Sequence, residues 1–236
     1  MRENVWMEER VRQVDGSTLQ ERVYRELRNA LYQGQFVPGA ALTIRSLATA
    51  LGTSPMPVRE AMQRLVAEKA LVQMPNRTIR VAVLTSEAFD ELTRIRMEIE
   101  GFAAQRAALR ATPRLCARLR TINESFREAV MADNAMGMLE MNQTFHFELY
   151  EAAGANALLQ IIESLWLRFG PILAFVRNLP GSNAMFRRGF DVHERVVVAL
   201  ERHDGALARF SLALDIRAAA SWFRRHYAFD TRPLDD

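Results

Sequence analysis

The sequence contains little cysteine and no long apolar run. Its single cysteine, Cys116, cannot form an intrachain disulfide, which favours a reducing compartment, and we expect a cytoplasmic protein. The apolar runs are short and interrupted by charged residues, so no segment is expected to span a bilayer. The N-terminus has alternating charges without an apolar core, so a secretory signal peptide is not expected.

Positive charge is concentrated in the first third of the chain. The formal net charge is +3, and residues 1–84 carry 12 basic against 8 acidic side chains, whereas residues 85–236 carry 19 against 20. Lys69 is the only lysine, so arginine supplies nearly all of the excess. This asymmetry predicts that the N-terminal third binds a polyanion such as DNA. The length of 236 residues allows two domains of ordinary size.

Capping and stop signals predict a first helix that starts near residue 17. Residues 1–16 are expected to be a mobile leader. Ser17 and Gln20 have the spacing of a capping box, and Gly34 supplies a stop. Between these signals the apolar residues recur at a spacing that makes one buried helical stripe: Leu19, Val23, Leu27, Ala30 and Leu31.

Two short helices are predicted next. Thr43 is a suitable N-cap for the first of them, which Gly52 ends. Ser54 is a suitable N-cap for the second, and Pro55 stands at its first position, where a missing N–H costs nothing. Two short helices joined by a turn that contains glycine are the pattern of a helix-turn-helix.

A hairpin is predicted after the helix-turn-helix. Runs rich in β-formers at 71–75 and 79–83 flank a short polar segment, in which Asn76 is expected to take a positive φ at the tip. Three helices followed by a hairpin are the order of elements in a winged helix. We therefore expect residues 17–84 to be a winged helix-turn-helix domain that binds DNA.

The remainder of the chain is expected to be entirely helical. Every segment from residue 85 onward has a helical period, and Pro171 is expected to kink or split the fourth helix. The fold class is therefore mainly α, with an all-α bundle of six to seven helices over 85–230 and a tail at 231–236. The predicted helices are 86–110, 114–132, 135–152, 155–178, 183–202 and 205–228.

The N-terminal part resembles the GntR family of transcription regulators. The resemblance runs from the first predicted helix to the hairpin, and its most specific piece is the segment 57–61 (Pro-Val-Arg-Glu-Ala) followed by Leu65. A generic helix-turn-helix would not need this combination. The other matching positions are Gly34, Pro38, Gly39, Leu47, Ala48, Leu51, Gly52 and Ser54.

The resemblance implies DNA contacts from the helix-turn-helix and from the wing. A recognition helix presents its first turn to the major groove, where arginine binds guanine, while serine and helix N–H groups bind phosphate. Alternatively, Arg59 is solvated and pairs with Glu60 or Gln63. The residues expected to contact DNA are Arg45, Ser54, Pro55, Arg59, Asn76 and Arg77.

Two positions depart from the family pattern. Pro55 stands where members often have an arginine, which removes one guanidinium from the expected interface. Thr78 stands where a wing glycine is expected, which affects the hairpin turn and its approach to DNA. The operator sequence therefore does not transfer from relatives.

Residues 85–230 resemble the FCD effector domain of the FadR-type branch of the same family. The resemblance implies a helical bundle with an internal pocket, which serves effector binding and dimerisation. The matching positions are Arg96, Ile99, Glu100, Phe145, His146, Gly154, Asn156, His193, Ala199, Asp204 and Ala208.

Many members of this branch hold a divalent metal in the pocket through one aspartate and three histidines. By position, these ligands correspond to Asn142, His146, His193 and Asp215, so two of the four residue types differ. Positions i and i+4 share a helix face, so the first two side chains can converge. Such a set can hold Zn, Ni or Mn. Alternatively, the two histidines bind the effector directly, and Asp215 pairs with an arginine.

Arg96 is the candidate for binding an effector carboxylate, because its planar guanidinium matches that anion with two hydrogen bonds. His146 and His193 are further candidates for effector contacts. Alternatively, Arg96 forms a structural ion pair with Glu100, four residues later on the same helix face.

These features predict a homodimeric transcription regulator that binds an operator in double-stranded DNA. Repression that the effector relieves is the commoner arrangement in the family, with activation as the alternative, and the effector is expected to be a small organic acid. Two alternatives belong to other classes: a metal-dependent enzyme that uses His146, His193 and Asp215, and an architectural DNA-binding protein without an effector. The sequence has no H-E-x-x-H, G-x-S-x-G or P-loop motif, so catalysis is not expected.

Overall fold

The structure is a computed structural model that describes residues 18–176 and 183–229, apart from the Ala184 side chain. The predicted leader, the predicted cap at Ser17 and the tail at 231–236 lie outside these residues. The N-terminal elements are α1 (Leu19–Tyr32), β1 (Ala41–Leu42), α2 (Ile44–Ala50), α3 (Pro55–Ala67), β2 (Leu71–Gln73) and β3 (Ile79–Val81).

Each N-terminal helix begins at a polar residue. The first cap is Thr18, not Ser17: its Oγ1 accepts a hydrogen bond from Glu21 N at 3.3 Å, so α1 starts one residue later than expected. Thr43 caps α2 as predicted, accepting from Ser46 N at 3.1 Å. The apolar faces of the three helices pack together and form the N-terminal part of the larger hydrophobic cluster.

Three antiparallel strands form the wing sheet in the order β1-β3-β2. The predicted hairpin is present, but the two-residue strand β1 was not predicted, because so short a run has no readable alternation. At the tip the positive φ of 64° belongs to Arg77 and not to Asn76. The prediction for Asn76 was wrong because its Oδ1 accepts from Thr78 N at 3.0 Å, a local turn that positions the next residue instead.

The rest of the described chain is helical, and the mainly α fold class is confirmed. Pro171 splits the fourth predicted helix as expected: its α-helical part ends at Phe169, and about two turns of tighter 3₁₀ helix follow. The elements are α4 (Ser86–Leu109), α5 (Pro113–Met131), α6 (Ala135–Ala152), α7 (Asn156–Phe169), the 3₁₀ helix (Gly170–Phe175), α8 (Asn183–Glu201) and α9 (Gly205–His226).

Contrary to expectation, one helical run is long and apolar enough to cross a membrane by length and composition alone. This run is Asn156–Phe175, with a mean hydropathy of 1.4 over its most apolar window. Within the fold, 56% of that window is buried, and Trp166 and Ile172 belong to its two hydrophobic clusters. The structure therefore uses the run as a core helix of the bundle.

The winged helix packs directly on the bundle through the end of α1. Tyr32 Oη donates to the carbonyl oxygen of Glu163 at 3.1 Å, and Arg28 forms an ion pair with the carboxylate of the same residue at 3.1 Å. The Tyr32 ring also meets Phe147 and Trp166, with centroids 5.4 and 6.3 Å away. Buried residues of the two halves therefore form one continuous cluster.

Two glycines allow the backbones to touch at this junction. Gly34 has a φ of 60°, and a Cβ at this position would lie 2.6 Å from the carbonyl carbon of Leu173. A Cβ on Gly170 would lie 2.8 Å from the Cα of Tyr32. Both separations are shorter than van der Waals contact, so only glycine fits without a shift of the backbone.

Gly34→Ala is expected to destabilise the protein by more than about 2 kcal/mol, because the left-handed conformation costs alanine about 1–2 kcal/mol and overpacking adds about 1–3 kcal/mol. The free energy of unfolding from urea denaturation measures this loss. Gly52→Ala is the matched control: Gly52 has the same φ of 60° but open space around it, so only the conformational cost is expected. Equal losses in the two variants would contradict the close packing of the two halves.

Candidate functional site

The residues predicted to contact DNA are all exposed on the winged helix. α3 turns Val58, Met62 and Leu65 into the core, which leaves its opposite face to solvent. This face, and the exposed positions named next, remain open to DNA, although Asn76 already accepts a hydrogen bond from Thr78 N within its own turn. The exposed set is Arg45, Ser54, Pro55, Arg59, Asn76 and Arg77.

Arg59 and Ser54 have free polar groups at the start of α3. Within the described residues Arg59 forms no ion pair or side-chain hydrogen bond, so the alternative pairing with Glu60 or Gln63 is not seen. Ser54 precedes the helix but its hydroxyl makes no capping bond. In contrast, Arg64 of the same helix is held by Glu21 and Glu68.

Three polar side chains from three helices converge inside the bundle. His146 of α6, His193 of α8 and Asp215 of α9 each offer one ligand atom, and these atoms lie within 4.8 Å of one another. Both histidines are buried, and Asp215 is half-buried. Asn142 lies one turn before His146 and lines the cavity that adjoins this cluster. The structure therefore brings together three of the four positions that were predicted as metal ligands, and it places Asn142 in the wall of the adjoining cavity.

His193 presents an unpaired nitrogen to this cluster. Its Nδ1 lies 3.2 Å from Asn123 Oδ1, and the Asn123 amide nitrogen donates to Phe190 O at 3.2 Å, so the amide oxygen faces the ring and accepts its proton. Nε2 is buried and has no hydrogen-bond partner in the described chain. Burial lowers the pKa of His193 to about 3, so the ring is neutral and Nε2 carries a free lone pair at neutral pH.

His146 is oriented by a second chain of hydrogen bonds. Tyr150 Oη donates to the Glu100 carboxylate and accepts from His146 Nδ1, which lies 2.8 Å away. The other ring nitrogen, Nε2, lies 3.2 Å from Asp215 Oδ2. With the proton on Nδ1, two acceptors face each other here, so a second proton or a cation between them is required.

These donors fit a divalent transition metal. Two imidazoles, a carboxylate and an amide oxygen are ligands that Zn, Ni and Mn accept. Burial opposes ionisation of Asp215, but the neighbouring His146, His193 and Arg96 together outweigh it, so the pKa of Asp215 is lowered and the carboxylate is charged. Asn123 and Tyr150 hold the two rings from behind, as the outer partners of metal-bound histidines do.

Arg96 reaches the same cavity, but its guanidinium is already bound. Its Nε donates to Glu100 Oε1 at 2.6 Å and its Nη2 to Oε2 at 3.4 Å, which is the alternative pairing expected from the sequence. The guanidinium also lies 4.1 Å from the Phe169 ring centroid and 5.2 Å from that of Trp166. Whether Arg96 also contacts an effector stays a prediction.

The cavity next to this cluster has a volume of about 550 Å³, a size typical of small-molecule sites. Most of its wall is apolar, and the polar groups are concentrated at the cluster and at the mouth. Arg188 and Arg225 are exposed at the mouth and form no ion pair among the described residues. The aromatic wall residues are Trp166, Phe169, Phe186, Trp222 and Phe223.

Three residues that shape the site were not predicted. Tyr150 follows His146 by four positions, so the shared helix face was a readable signal for its role. Trp166 donates its indole N–H to Glu100 Oε2 at 3.1 Å, and Asn123 orients His193 from another helix. Neither of these two contacts could be predicted from spacing in the sequence, because the partners are 66 and 70 residues apart.

Known protein families match both halves of the chain. The family of bacterial regulatory proteins named gntR matches residues 19–81, and the FCD domain matches residues 91–218. These ranges contain the exposed α3 face and the histidine cluster, respectively.

Individual relatives agree with these matches. The HTH-type transcriptional regulator McbR of Escherichia coli (strain K12) is 31% identical over 81% of this chain and 86% of its own length. The solved structure of Escherichia coli McbR/YncC matches 90% of this chain and all of that chain, with a TM-score of 0.85 at 29% identity. A probable D-xylose utilization operon transcriptional repressor of Paenarthrobacter nicotinovorans is 29% identical over 79% of this chain and 80% of its own length.

The relatives are transcription regulators, which is a class without catalytic activity, so the histidine cluster does not indicate an enzyme. With these family matches and a relative that is 31% identical over most of both chains, the chain belongs to the GntR family of bacterial regulatory proteins, and it is a DNA-binding transcription regulator with a C-terminal FCD effector domain.

Proposed function

We propose that this regulator is a repressor that reads its operator mainly through the first turn of α3. The observation that carries the proposal is the unpaired, exposed guanidinium of Arg59 beside an uncapped helix N-terminus. Arginine in the major groove binds guanine, and the Ser54 hydroxyl with the Met56 N–H binds phosphate, because Pro55 and Pro57 have no backbone N–H to offer. Arg45 and the Asn76-Arg77 tip then contact the backbone or the minor groove on either side.

A homodimer in the cytoplasm completes the proposal. One winged helix buries too little DNA surface for a sharp choice of operator, whereas two copies related by a two-fold axis read both halves of a palindromic site. The cytoplasm gives access to the chromosome, and the only cysteine, Cys116, is a buried free thiol.

Arg59→Ala is expected to lower affinity for the operator by at least tenfold, since a bidentate arginine–guanine contact contributes about 1–3 kcal/mol to discrimination. Fluorescence anisotropy on a duplex selected by the wild-type protein from a random-sequence pool measures the loss. Arg202→Ala, which removes an exposed arginine from the FCD domain, is the matched control and should leave affinity unchanged. Normal operator binding by Arg59→Ala would show that α3 is not the recognition helix.

We further propose that Asn142, His146, His193 and Asp215 hold one divalent metal ion. The orphaned Nε2 of His193 and the facing acceptors of His146 and Asp215 support this assignment. A bound metal would supply a positive charge at the inner end of the cavity. Because His193 is neutral down to a pH of about 3, protons do not compete for its ligand nitrogen near neutral pH.

His193→Ala is expected to weaken Zn²⁺ binding by at least about 100-fold, since even partners outside the ligand shell contribute 10- to 100-fold. Asn142→Asp should tighten binding, because a second carboxylate replaces a neutral amide. Equilibrium dialysis followed by mass-spectrometric metal analysis measures both effects. His203→Ala, an exposed histidine in the turn before α9, is the control. A wild-type protein that retains no Zn²⁺, Ni²⁺ or Mn²⁺ would refute the metal site.

The effector that we propose is a small organic acid bound in the cavity. His146 lines this cavity and His193 lies beside it, and a metal held there by a single carboxylate would keep an uncompensated positive charge that attracts a carboxylate. Arg96 would contribute through its Nη1, which donates no hydrogen bond to Glu100. A thermal-shift screen with citrate, D-gluconate and benzoate tests the class of ligand.

Signal transfer to DNA would pass through the run from Trp166 to the 3₁₀ helix. Trp166, Phe169 and Leu173 line the cavity, while Gly170 and the Leu173 backbone touch the end of α1. The same short run therefore forms a wall of the pocket and the surface on which the winged helix packs. An effector that binds more tightly to one of two arrangements of this wall favours the corresponding placement of the DNA-binding domain.

Tyr32→Phe is expected to reduce this coupling without changing effector binding, because it removes only the hydrogen bond to Glu163 O and keeps the ring packing. For a carboxylate found in the screen, the ratio of operator affinities with and without ligand should fall towards one. The melting-temperature shift caused by that carboxylate should remain. A full response to ligand in Tyr32→Phe would contradict a path through α1.

A further inference from the structure

We propose that the exposed face of α4, extended by Phe210 of α9, is the surface on which a second copy of this chain docks in antiparallel orientation. This inference rests on the proposed homodimer and names the surface that forms it. The surface is called the α4 stripe below and consists of Ile95, Phe102, Leu109 and Phe210.

The three α4 residues of this stripe lie on one line along the helix. Ile95, Phe102 and Leu109 are spaced by seven residues, which is two helical turns, and are 40%, 43% and 66% exposed. Apolar side chains that repeat every seven residues on an open helix face occupy one of the two rows that form the seam of paired helices. Single exposed apolar residues are common on protein surfaces, but an aligned row of large ones marks a contact site.

Phe210 widens the stripe to two helices. α9 runs antiparallel beside α4, and a Cβ on Gly101 would lie 3.1 Å from Arg209 Cγ, so the two helices are in close contact at this level. Arg209 donates across the seam to Glu98 on the exposed side of α4. The adjacent Phe210 is 61% exposed next to the centre of the row. The α4 stripe is therefore continuous across both helices.

The inner face of α4 is fully buried and includes Leu92 and the alanine pairs at 103–104 and 107–108. Its outer face is mixed, because Glu91, Arg94 and Glu98 are exposed between the apolar residues of the α4 stripe. A helix at the surface of a monomer normally has a polar outer face, so the large apolar side chains on this one mark a face that a partner covers.

Charge complementarity selects a second copy in antiparallel orientation as this partner. When two α4 helices pair about a two-fold axis at Phe102, Ile95 faces Leu109 of the partner subunit, and Glu98 lies at the level of the partner subunit's Arg106. Arg106 has no acidic partner among the described residues of its own chain, where its Nε donates only to Ala153 O at 3.3 Å. A parallel pairing would place like charges at the same level, which is unfavourable. The contact is self-complementary, as a two-fold interface requires.

Cysteine cross-linking in full-length protein tests the surface and its register. The background is Cys116→Ala, which removes the only native thiol. Phe102→Cys is expected to cross-link to itself with a short bismaleimide, because position 102 lies on the axis. A mixture of Ile95→Cys and Leu109→Cys proteins should also cross-link. Ile95→Cys alone should not, since two copies of position 95 would be about 20 Å apart along the helix. Met131→Cys, at a 68% exposed position on α5, is the control for random collision.

Sedimentation velocity supplies a second, independent readout. Phe102→Glu is expected to convert the dimer to monomer, with at least a 100-fold rise in the dissociation constant, while Met131→Glu leaves the dimer intact. Circular dichroism verifies that each variant is folded. If Phe102→Glu does not fold, the cross-linking experiment alone tests the α4 stripe. A wild-type protein that is monomeric at all concentrations refutes the homodimer itself. A dimer that survives Phe102→Glu and does not cross-link through position 102 overturns only the α4 stripe, and shows that another partner covers this face.

Discussion

The architecture of the FCD domain depends on one buried negative charge, the carboxylate of Glu100. It is completely buried and accepts hydrogen bonds from Arg96, Tyr150 and Trp166, which come from three different helices. A buried carboxylate without partners is strongly destabilising, so the three donors are constrained to their positions. Burial, followed by the neighbouring Glu100 charge, raises the pKa of Tyr150 well above its ordinary value, so its hydroxyl stays protonated and remains a donor.

Each donor transmits this constraint to a different part of the molecule. Tyr150 fixes the ring of His146, and thereby directs Nε2 towards Asp215. Trp166 contacts Tyr32, which belongs to the DNA-binding half. Glu100 therefore fixes both the orientation of a pocket histidine and the surface on which the winged helix packs. Packed elements of this kind shift between discrete arrangements and do not deform continuously, which suits them to carry a signal.

The sequence predicted local features well because local features have short-range causes. Helix ends were set by caps such as Thr43 and by Pro171, whose missing N–H breaks the hydrogen-bond ladder wherever it stands. The positions of the four candidate ligands followed from family resemblance together with the i, i+4 rule for Asn142 and His146. The convergence of those ligands could not be derived from spacing alone, since it depends on how three helices pack.

Long-range contacts left no comparable signal. Asn123 is an unremarkable polar residue of α5 in the sequence, and only the packed structure places its amide oxygen against His193. Gly34 was read as a helix stop, which it is, but its second role depends on Leu173, a residue 139 positions away in the chain. The positive φ of a helix stop and the close approach of another backbone both require a residue without a Cβ. The sequence therefore does not show which of the two a glycine serves.

The two faces of α4 link the pocket to the proposed pairing of subunits. Its inner face carries Arg96 and Glu100, and its outer face carries the α4 stripe. Ile95 of the stripe is the residue next to Arg96 in the chain. Its N-terminus follows the wing strand β3 after four residues, with Thr85 as the cap. A rotation of α4 that adjusts the inner face to an effector must also move the stripe and the wing, because a helix rotates as a rigid unit. Dimer geometry and DNA contact would then respond to the same event, without a separate path for each.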